Sequence, residues 1–113
     1  MIEDYRFGNI RIDGKNYTSD VKIINRKVKP NWWRKEGHNL FPEDIQDILE
    51  AKPEVLVVGT GAYGVMKISS QVRKLLEEEQ IELIEVKTDK ACHIYNQLIQ
   101  TEKKVAFAAH LTC

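Results

Sequence analysis

The sequence lacks the features that mark secreted and membrane-spanning proteins. Two cysteines, one of them at the last position, are too few for a disulfide framework, so we expect a reducing cytoplasm. The longest unbroken apolar run is the five residues from Val105 to Ala109, whereas about 20 are needed to cross a bilayer. Glu3 and Asp4 stand where a signal peptide would be basic and then apolar, so neither export nor a membrane partner is expected.

Charge of either sign is not in excess. Seventeen Lys and Arg balance seventeen Asp and Glu, which gives a formal net charge of zero. Because a dedicated polyanion binder is normally basic overall, a histone-like or ribosomal type of role is excluded. Charged residues make up 30% of the chain, a fraction that favours a thermophilic source. A length of 113 residues predicts a single domain spanning residues 1–113 with a core of its own.

The first third of the chain predicts antiparallel strands. Apolar and polar side chains are interleaved from Tyr5 to Ile12, and the Asp13-Gly14 dipeptide then suits the two positive φ angles of a type I′ turn. A return strand through residues 16–18 would complete an N-terminal antiparallel β-hairpin. The alternation continues at Val21 and Ile23, and we expect this third extended piece to extend an antiparallel sheet with one face in water.

The remainder of the chain predicts alternating helices and strands. A short helix begins at Pro42 and ends before Pro53. The strands that follow are predicted at Val55–Val58, Ile81–Val86 and Val105–Leu111. The intervening helices are expected to be capped by Ser69 or Ser70 and by Thr88 or Asp89. Two right-handed crossovers would make these strands parallel. The predicted fold class is therefore a three-layer α/β domain with a mixed, mostly parallel central sheet, a βαβαβ C-terminal half and the N-terminal hairpin.

A glycine-rich string, Gly59-Thr-Gly61-Ala-Tyr-Gly64, follows the first of these strands and satisfies G-x-G-x-x-G. In dinucleotide-binding folds the helix starts inside this motif, whereas here residues 63–68 precede the capping serines, so no dinucleotide cofactor is expected. Two interpretations remain open: a wide structural turn, or a small-anion pocket built from backbone amides and nearby polar side chains. The candidate pocket residues are Gly59, Thr60, Gly61, Lys67, Ser70 and Thr88.

Charge is segregated between residues 22 and 54. The basic segment, Lys22 to Lys35, carries six cations, no acid and two adjacent tryptophans, while residues 36–54 carry six acids. One interpretation is a nucleic-acid platform with stacking aromatics. The other pairs the basic strand with the acidic helix, within one monomer or across a dimer. Adjacent strand residues point to opposite faces, so at most one tryptophan is in the core. We expect a homodimer with Trp32 or Trp33 at its interface, and nucleic-acid binding is the less favoured interpretation.

The cysteines and histidines complete no catalytic or metal-binding pattern. Cys92 and His93 are helix neighbours whose side chains diverge by about 100°, so they predict no thiolate–imidazole pair. A cysteine in the first turn of a helix would have a pKa lowered somewhat by the helix start, but Cys92 is interpreted instead as a small half-buried apolar residue. The motif His110-x-x-Cys113 offers two of the four ligands that a zinc site requires. We therefore expect no metal, no cofactor and no catalytic residue.

Several strings, read in order, resemble one family along the whole chain. They are Trp33-Arg34 with Gly37-His38, the acidic helix from Pro42, Gly59-Thr-Gly61, Met66 to Ser70, Thr88 with Ala91 and Tyr95-Asn96-x-Leu98, and the tail His110-Leu-Thr-Cys113. The chain resembles the small α/β domain family that includes the adipogenesis-associated domain-containing protein and a mitochondrial complex I assembly factor. The resemblance implies the fold predicted above, carries over no catalytic residue and suggests protein partners. A mitochondrial targeting extension is lacking, so a cytoplasmic location is still expected.

Together these observations favour a non-catalytic binding or assembly module. We expect it to act through a protein partner or a small ligand at the ends of the central strands. The alternative is an enzyme or small-anion binder that uses the Gly59-Thr60-Gly61 turn. A third hypothesis is nucleic-acid binding through the basic segment with Trp32 and Trp33.

Overall fold

A five-stranded sheet forms the centre of the molecule, with strand order β5-β4-β10-β7-β9. The computed structural model describes residues 1–113. The strands are β1 Ile2–Arg6, β2 Asn9–Ile12, β3 Lys15–Tyr17, β4 Val21–Ile24, β5 Lys27–Lys29, β6 Asn39–Leu40, β7 Val55–Thr60, β8 Lys67–Ile68, β9 Glu82–Val86 and β10 Val105–His110. A 3-10 turn at Pro42–Ile45 precedes α1 Gln46–Ala51, and the longer helices are α2 Ser70–Glu78 and α3 Thr88–Leu98. None of these helices has the length and apolar composition needed to span a bilayer.

The central sheet is evenly mixed, so the expected predominance of parallel pairing is not confirmed. Strand β7 pairs in parallel with both β10 and β9, as two consecutive crossovers require. Strand β4, by contrast, pairs antiparallel with β10 on one side and with β5 on the other. The third extended piece predicted for the N-terminal sheet therefore joins the central sheet instead, where its partner β10 is buried at every residue, whereas β3 is largely exposed.

Two hydrophobic cores cover the two faces of the central sheet. Strands β7 and β10 are buried at every residue, and their side chains alternate between the cores as the pleat demands. Val57 and Phe107 face a core that includes Ala91 and Tyr95 of α3 together with isoleucines of β1 and β2. The neighbouring residues Leu56, Val58, Ala106 and Ala108 face the core of α1 and α2. The molecule thus has three layers: α3 with the small N-terminal sheet, the central sheet, and α1 with α2.

The predicted N-terminal hairpin is present and has one further strand. Strands β2 and β3 pair antiparallel around Asp13 and Gly14, whose φ angles of 49° and 82° are both positive, as predicted for this turn. Strand β1 pairs with β2 to make a three-stranded antiparallel sheet. Asn96 of α3 clamps its edge, since its side chain accepts from the Ile2 N–H at 2.9 Å and donates to the Ile2 carbonyl at 2.7 Å.

One helix cap is as predicted and the other is not. The Ser69 hydroxyl accepts the Val72 N–H at 3.2 Å and caps α2. Helix α3 is capped by Lys87 without a side-chain hydrogen bond, so the prediction of Thr88 or Asp89 as the cap is wrong. The Thr88 side chain is fully buried and bonds to distant parts of the chain, which removes it from the capping role.

Candidate functional site

The connections that leave β7 and β9 diverge at the carboxyl edge of the central sheet. The chain leaving β7 reaches α2, whose Val72 and Leu76 lie in one core, and the chain leaving β9 enters α3, whose Ala91 lies in the other. Neighbouring parallel strands with diverging connections create a crevice beyond their carboxyl ends, where ligands bind in open α/β folds. Four of the six predicted pocket residues lie here: Gly59, Thr60, Gly61 and Thr88.

Thr88 links the three strands that meet at this edge. Its hydroxyl accepts the Gly61 N–H at 2.9 Å and donates to the His110 carbonyl at 2.6 Å. A β-carbon on Gly59 would lie 2.8 Å from the same hydroxyl, so only glycine fits there. The Thr60 hydroxyl donates to the Val86 carbonyl at 3.1 Å. These polar groups satisfy one another, and the crevice is closed at its base.

The C-terminal residues occupy the space above this base. The N–H groups of Ala62 and Val65 donate to the backbone oxygens of Thr112 and Cys113 at 2.6 and 3.0 Å. A β-carbon on Gly61 would lie 2.3 Å from the carbonyl carbon of Cys113. Of the amides on which the small-anion prediction depended, that of Gly61 donates to Thr88, and the amides that follow it in the loop donate to the C-terminal residues.

Lys67 and Ser70 are not brought into hydrogen-bonding contact with this group. Lys67 lies in β8, where its N–H donates to the His38 carbonyl at 2.8 Å, and Ser70 is the first residue of α2. Both residues are exposed, and neither side chain makes a hydrogen bond to the glycine-rich loop. The candidate set therefore divides into a tight cluster of four residues and two residues that stand apart from it.

A buried polar cluster lies beside the crevice, and we name it the Asp20 cluster: Asp20, Arg34 and His110. Asp20 immediately precedes β4, and His110 ends β10. Arg34 Nη2 lies 2.6 Å from Asp20 Oδ2, and His110 Nδ1 lies 2.8 Å from the same oxygen. Nothing in the sequence pattern marks these residues as neighbours, since they are separated by 14 to 90 positions. The one available signal was a histidine at the end of an otherwise apolar strand.

The hydrogen bonds of this cluster define its charge and its tautomer. Burial would raise the pKa of Asp20, but hydrogen bonds from His110, from the Leu111 N–H and from Arg34 outweigh that effect and lower the pKa below its ordinary value. Asp20 is therefore ionised and can only accept. Because the guanidinium cannot accept either, His110 must carry its proton on Nδ1. Its Nε2 lies 3.3 Å from the Thr112 hydroxyl.

Arg34 is held on several sides and is only 3% exposed along its side chain. Its guanidinium carbon lies 4.5 Å from the centre of the Trp32 ring, and its Nε and Nη2 donate to the Gly37 carbonyl at 3.1 and 2.8 Å. Nη1, in contrast, is buried and has no hydrogen-bond partner. A buried charged donor without an acceptor is rare, so this atom requires an explanation.

The two tryptophans lie in different environments, although they belong to an irregular segment after β5 and not to the strand on which the prediction rested. Trp32 is 5% exposed and donates from Nε1 to the Asp44 carbonyl at 2.9 Å, whereas Trp33 is 81% exposed. Lys22 of the basic segment pairs with Asp47 of α1 at 2.7 Å, so part of the segregated charge is neutralised within the monomer. Of the two predicted interface residues, only Trp33 presents its ring to solvent.

An aromatic edge borders the same end of the molecule, and we define it as Phe7, Tyr63 and Val65. Phe7 and Tyr63 are 56% and 70% exposed, and their ring centres are 6.1 Å apart. Both are anchored next to the C-terminal residues: the Gly8 N–H donates to the Leu111 carbonyl, and the Tyr63 N–H donates to the Cys113 oxygen. The sequence showed these apolar residues but not that they would meet.

Cys92 is buried rather than activated. Burial first, and then the charge of Asp89, raise the pKa of its thiol to about 12, so the lowered value typical of a helix start does not apply here. The helix start does not compensate for the loss of solvent around the sulfur. No group of three or more His, Cys, Asp or Glu side chains is arranged to hold a metal ion.

Comparison with solved structures shows that this fold recurs. The conserved hypothetical protein PH1505 from Pyrococcus horikoshii OT3 is 31% identical over 100% of this chain and 99% of that chain, with a TM-score of 0.86. A protein called MT938 is 28% identical over 100% and 98% of the two chains, with a TM-score of 0.80. A Mth938-like domain from Bordetella pertussis is 20% identical over 98% and 85%, with a TM-score of 0.69, and is similar in fold alone.

The sequence itself matches one family along almost its entire length. Residues 2–110 match the family described as protein of unknown function (DUF498/DUF598). The expected membership of a family of small α/β domains is thus confirmed, while these matches give no support to the adipogenesis-associated or complex I assembly branches. Because this match covers residues 2–110 of the 113, the chain belongs to the DUF498/DUF598 family.

Proposed function

We propose that this protein is a non-catalytic binding module that recognises a protein partner through its aromatic edge. The observation that carries the proposal is the pair formed by Phe7 and Tyr63, two large rings that pack on each other while more than half of each stays exposed. Contiguous exposed apolar surface is uncommon on monomers and marks interaction sites. Tyrosine and phenylalanine are also enriched at interfaces, where they contribute much of the binding energy.

The backbone beneath the aromatic edge favours tight docking. The Gly8 N–H, next to Phe7, is bonded to the Leu111 carbonyl at 2.8 Å, and the Val65 N–H is bonded to Cys113 at 3.0 Å. A surface whose backbone is already ordered loses less conformational entropy when a partner binds. The backbone that carries the two rings is thus already ordered before a partner binds.

A second copy of this chain is the partner that we propose. The formal net charge is zero, so two copies experience little long-range repulsion. A two-fold interface is self-complementary, and it would cover the aromatic edges of both copies at once. Trp33, which is also strongly exposed, would lie in or beside that interface.

Sedimentation velocity over a range of micromolar concentrations tests the proposal. We expect the wild type to form a concentration-dependent dimer and the double variant Phe7→Ser, Tyr63→Ser to remain monomeric. Trp33→Ala reports whether that ring takes part. Leu75→Ser, which alters a half-buried apolar residue on α2, is the matched control and should leave the dimer intact.

A wild type that stays monomeric would refute self-association. The aromatic edge itself is then tested in cells, with a photo-crosslinking amino acid placed at position 63 and, as a control, at position 75. We expect discrete protein adducts from position 63 only. An equal yield of adducts from the two positions would refute the aromatic edge as a binding surface.

A further inference from the structure

Arg34 is buried at the carboxyl edge of the sheet with one of its nitrogens unused. The guanidinium directs Nε to the Gly37 carbonyl and Nη2 to that carbonyl and to Asp20. Nη1 is fully buried and has no acceptor within the protein. Hydrogen bonds from a guanidinium to an anion are among the strongest in proteins, so an unmatched buried Nη1 indicates an acceptor from outside the chain.

The surroundings of Arg34 suit an anion. Asp20 is the one carboxylate that pairs with it, and both oxygens of Asp20 are already engaged, Oδ2 by Arg34 and His110 and Oδ1 by the Leu111 N–H. Two imidazoles lie close by, since the ring centres of His38 and His110 are 5.5 Å apart. The Thr112 hydroxyl lies 3.3 Å from His110 Nε2.

His38 lies at the exposed side of His110. The His38 residue is exposed, its side chain makes no hydrogen bond, and its ring contacts His110 only by an edge. Rotation of that ring therefore breaks no hydrogen bond.

We propose that Arg34 Nη1, on the guanidinium that lies beside His110, anchors a binding site for a small oxyanion, a carboxylate or a phosphate. The site is separate from the crevice beyond β7 and β9, which the C-terminal residues occupy. It is also independent of the aromatic edge, so a ligand here does not require a protein partner. The two N–H groups of Nη1 donate to the ligand, which supplies the acceptor that the protein itself does not provide.

Acetate and inorganic phosphate, titrated separately at constant ionic strength, are the probes. NMR spectra of the arginine side chains follow Arg34 Nη1 directly, and the imidazole protons follow His38, His93 and His110, which are all the histidines of the chain. We expect saturable shifts at Arg34 and His110 with at least one probe. His93 lies on α3, away from the cluster, and should not shift. The probe that saturates identifies the ligand as a carboxylate or a phosphate.

Arg34→Lys is the variant that tests the assignment, since lysine keeps the charge but lacks the planar fork. We expect about a tenfold loss of affinity for the saturating probe. Should this variant not fold, the Arg34 Nη1 signals of the wild type decide the question alone. The proposal is overturned if neither probe gives a saturable shift, if His93 shifts equally, or if folded Arg34→Lys binds as the wild type does. A water molecule is then the acceptor of Nη1.

Discussion

Gly61 and Cys113 are packed so closely that a β-carbon on Gly61 would lie 2.3 Å from the backbone carbonyl carbon of Cys113. Gly61 also has a φ angle of 106°, which residues with side chains rarely adopt. Two independent requirements thus coincide at this glycine. Thr112 and Cys113 accept hydrogen bonds from the same loop and close the crevice. They can lie there because Gly61 has no side chain.

A series of glycine-to-alanine variants separates these two requirements. Gly37→Ala adds a methyl group in open space and should leave stability unchanged. Gly14→Ala also has open space but a φ of 82°, so it should cost roughly 1–2 kcal/mol of backbone strain. Gly61→Ala combines strain with a collision against Cys113 and should cost more than Gly14→Ala. Gly61→Val should abolish soluble expression.

Urea unfolding of the alanine variants measures this order. If Gly61→Ala were no less stable than Gly14→Ala, Thr112 and Cys113 could move away from position 61 without loss of unfolding free energy. Their packing against the loop would then be unimportant for the stability of the fold.

Replacement of Thr88 tests the hydroxyl that connects Gly61 to His110. Thr88→Val keeps the shape but leaves the Gly61 N–H without its acceptor, which should cost roughly 1–3 kcal/mol. Thr88→Ser keeps both hydrogen bonds and loses one buried methyl group, worth about 1 kcal/mol. Thermal or urea unfolding should therefore rank the serine variant above the valine variant. The reverse order would mean that Thr88 acts mainly by filling space.

Asp20 should make stability depend on pH in the acid range. Because its pKa is lower in the folded state than in the unfolded chain, its contribution is present above the unfolded pKa and is lost as the pH falls through the folded pKa. The loss begins near about pH 4, where an unfolded aspartate titrates, and has a slope of up to about 1.4 kcal/mol per pH unit.

Asp20→Asn should be less stable than the wild type at neutral pH and should lose less stability on acidification. Urea unfolding at a series of pH values from neutral to acid compares the two proteins. Parallel curves for the two proteins would show that Asp20 titrates in the folded state as it does in the unfolded chain.

The two thiols should differ in reactivity. A pKa of about 12 leaves Cys92 almost entirely protonated at pH 8, and the thiolate is the reactive species. Cys113 is only half-buried and should react with a disulfide reagent in the native protein. We expect one thiol equivalent for the wild type, one for Cys92→Ser and none for Cys113→Ser. Two equivalents from the native wild type, released at one rate, would contradict the buried environment of Cys92.

Local sequence rules were sufficient for several elements of this fold. The apolar run Val55 to Val58 became a strand that is buried on both faces. Asp13-Gly14 formed the predicted turn, and Ser69 capped α2. Each of these outcomes depends on a few adjacent residues, because turn chemistry, capping and side-chain period act over less than two turns of helix.

The site was predictable only in part, for the same physical reason. That the loop Gly59 to Gly61 and Thr88 would meet followed from the parallel order of β7 and β9, since the carboxyl ends of parallel strands share an edge. The sequence could not show that Thr112 and Cys113 would accept hydrogen bonds from the amides of residues 62–65, which follow that loop. Backbone oxygens carry no residue-specific signal, so their partners are decided by where the chain passes.

The sequence by itself determined the α/β alternation, the buried central strands and the rule that only one of Trp32 and Trp33 is in the core. The tertiary structure decided which tryptophan that is, whether β4 joins the central sheet, and that Asp20, Arg34 and His110 meet. Periodicity specifies the face on which a side chain lies but not the strand or loop that covers that face. Contacts between residues as much as 90 positions apart arise only when the whole core is assembled.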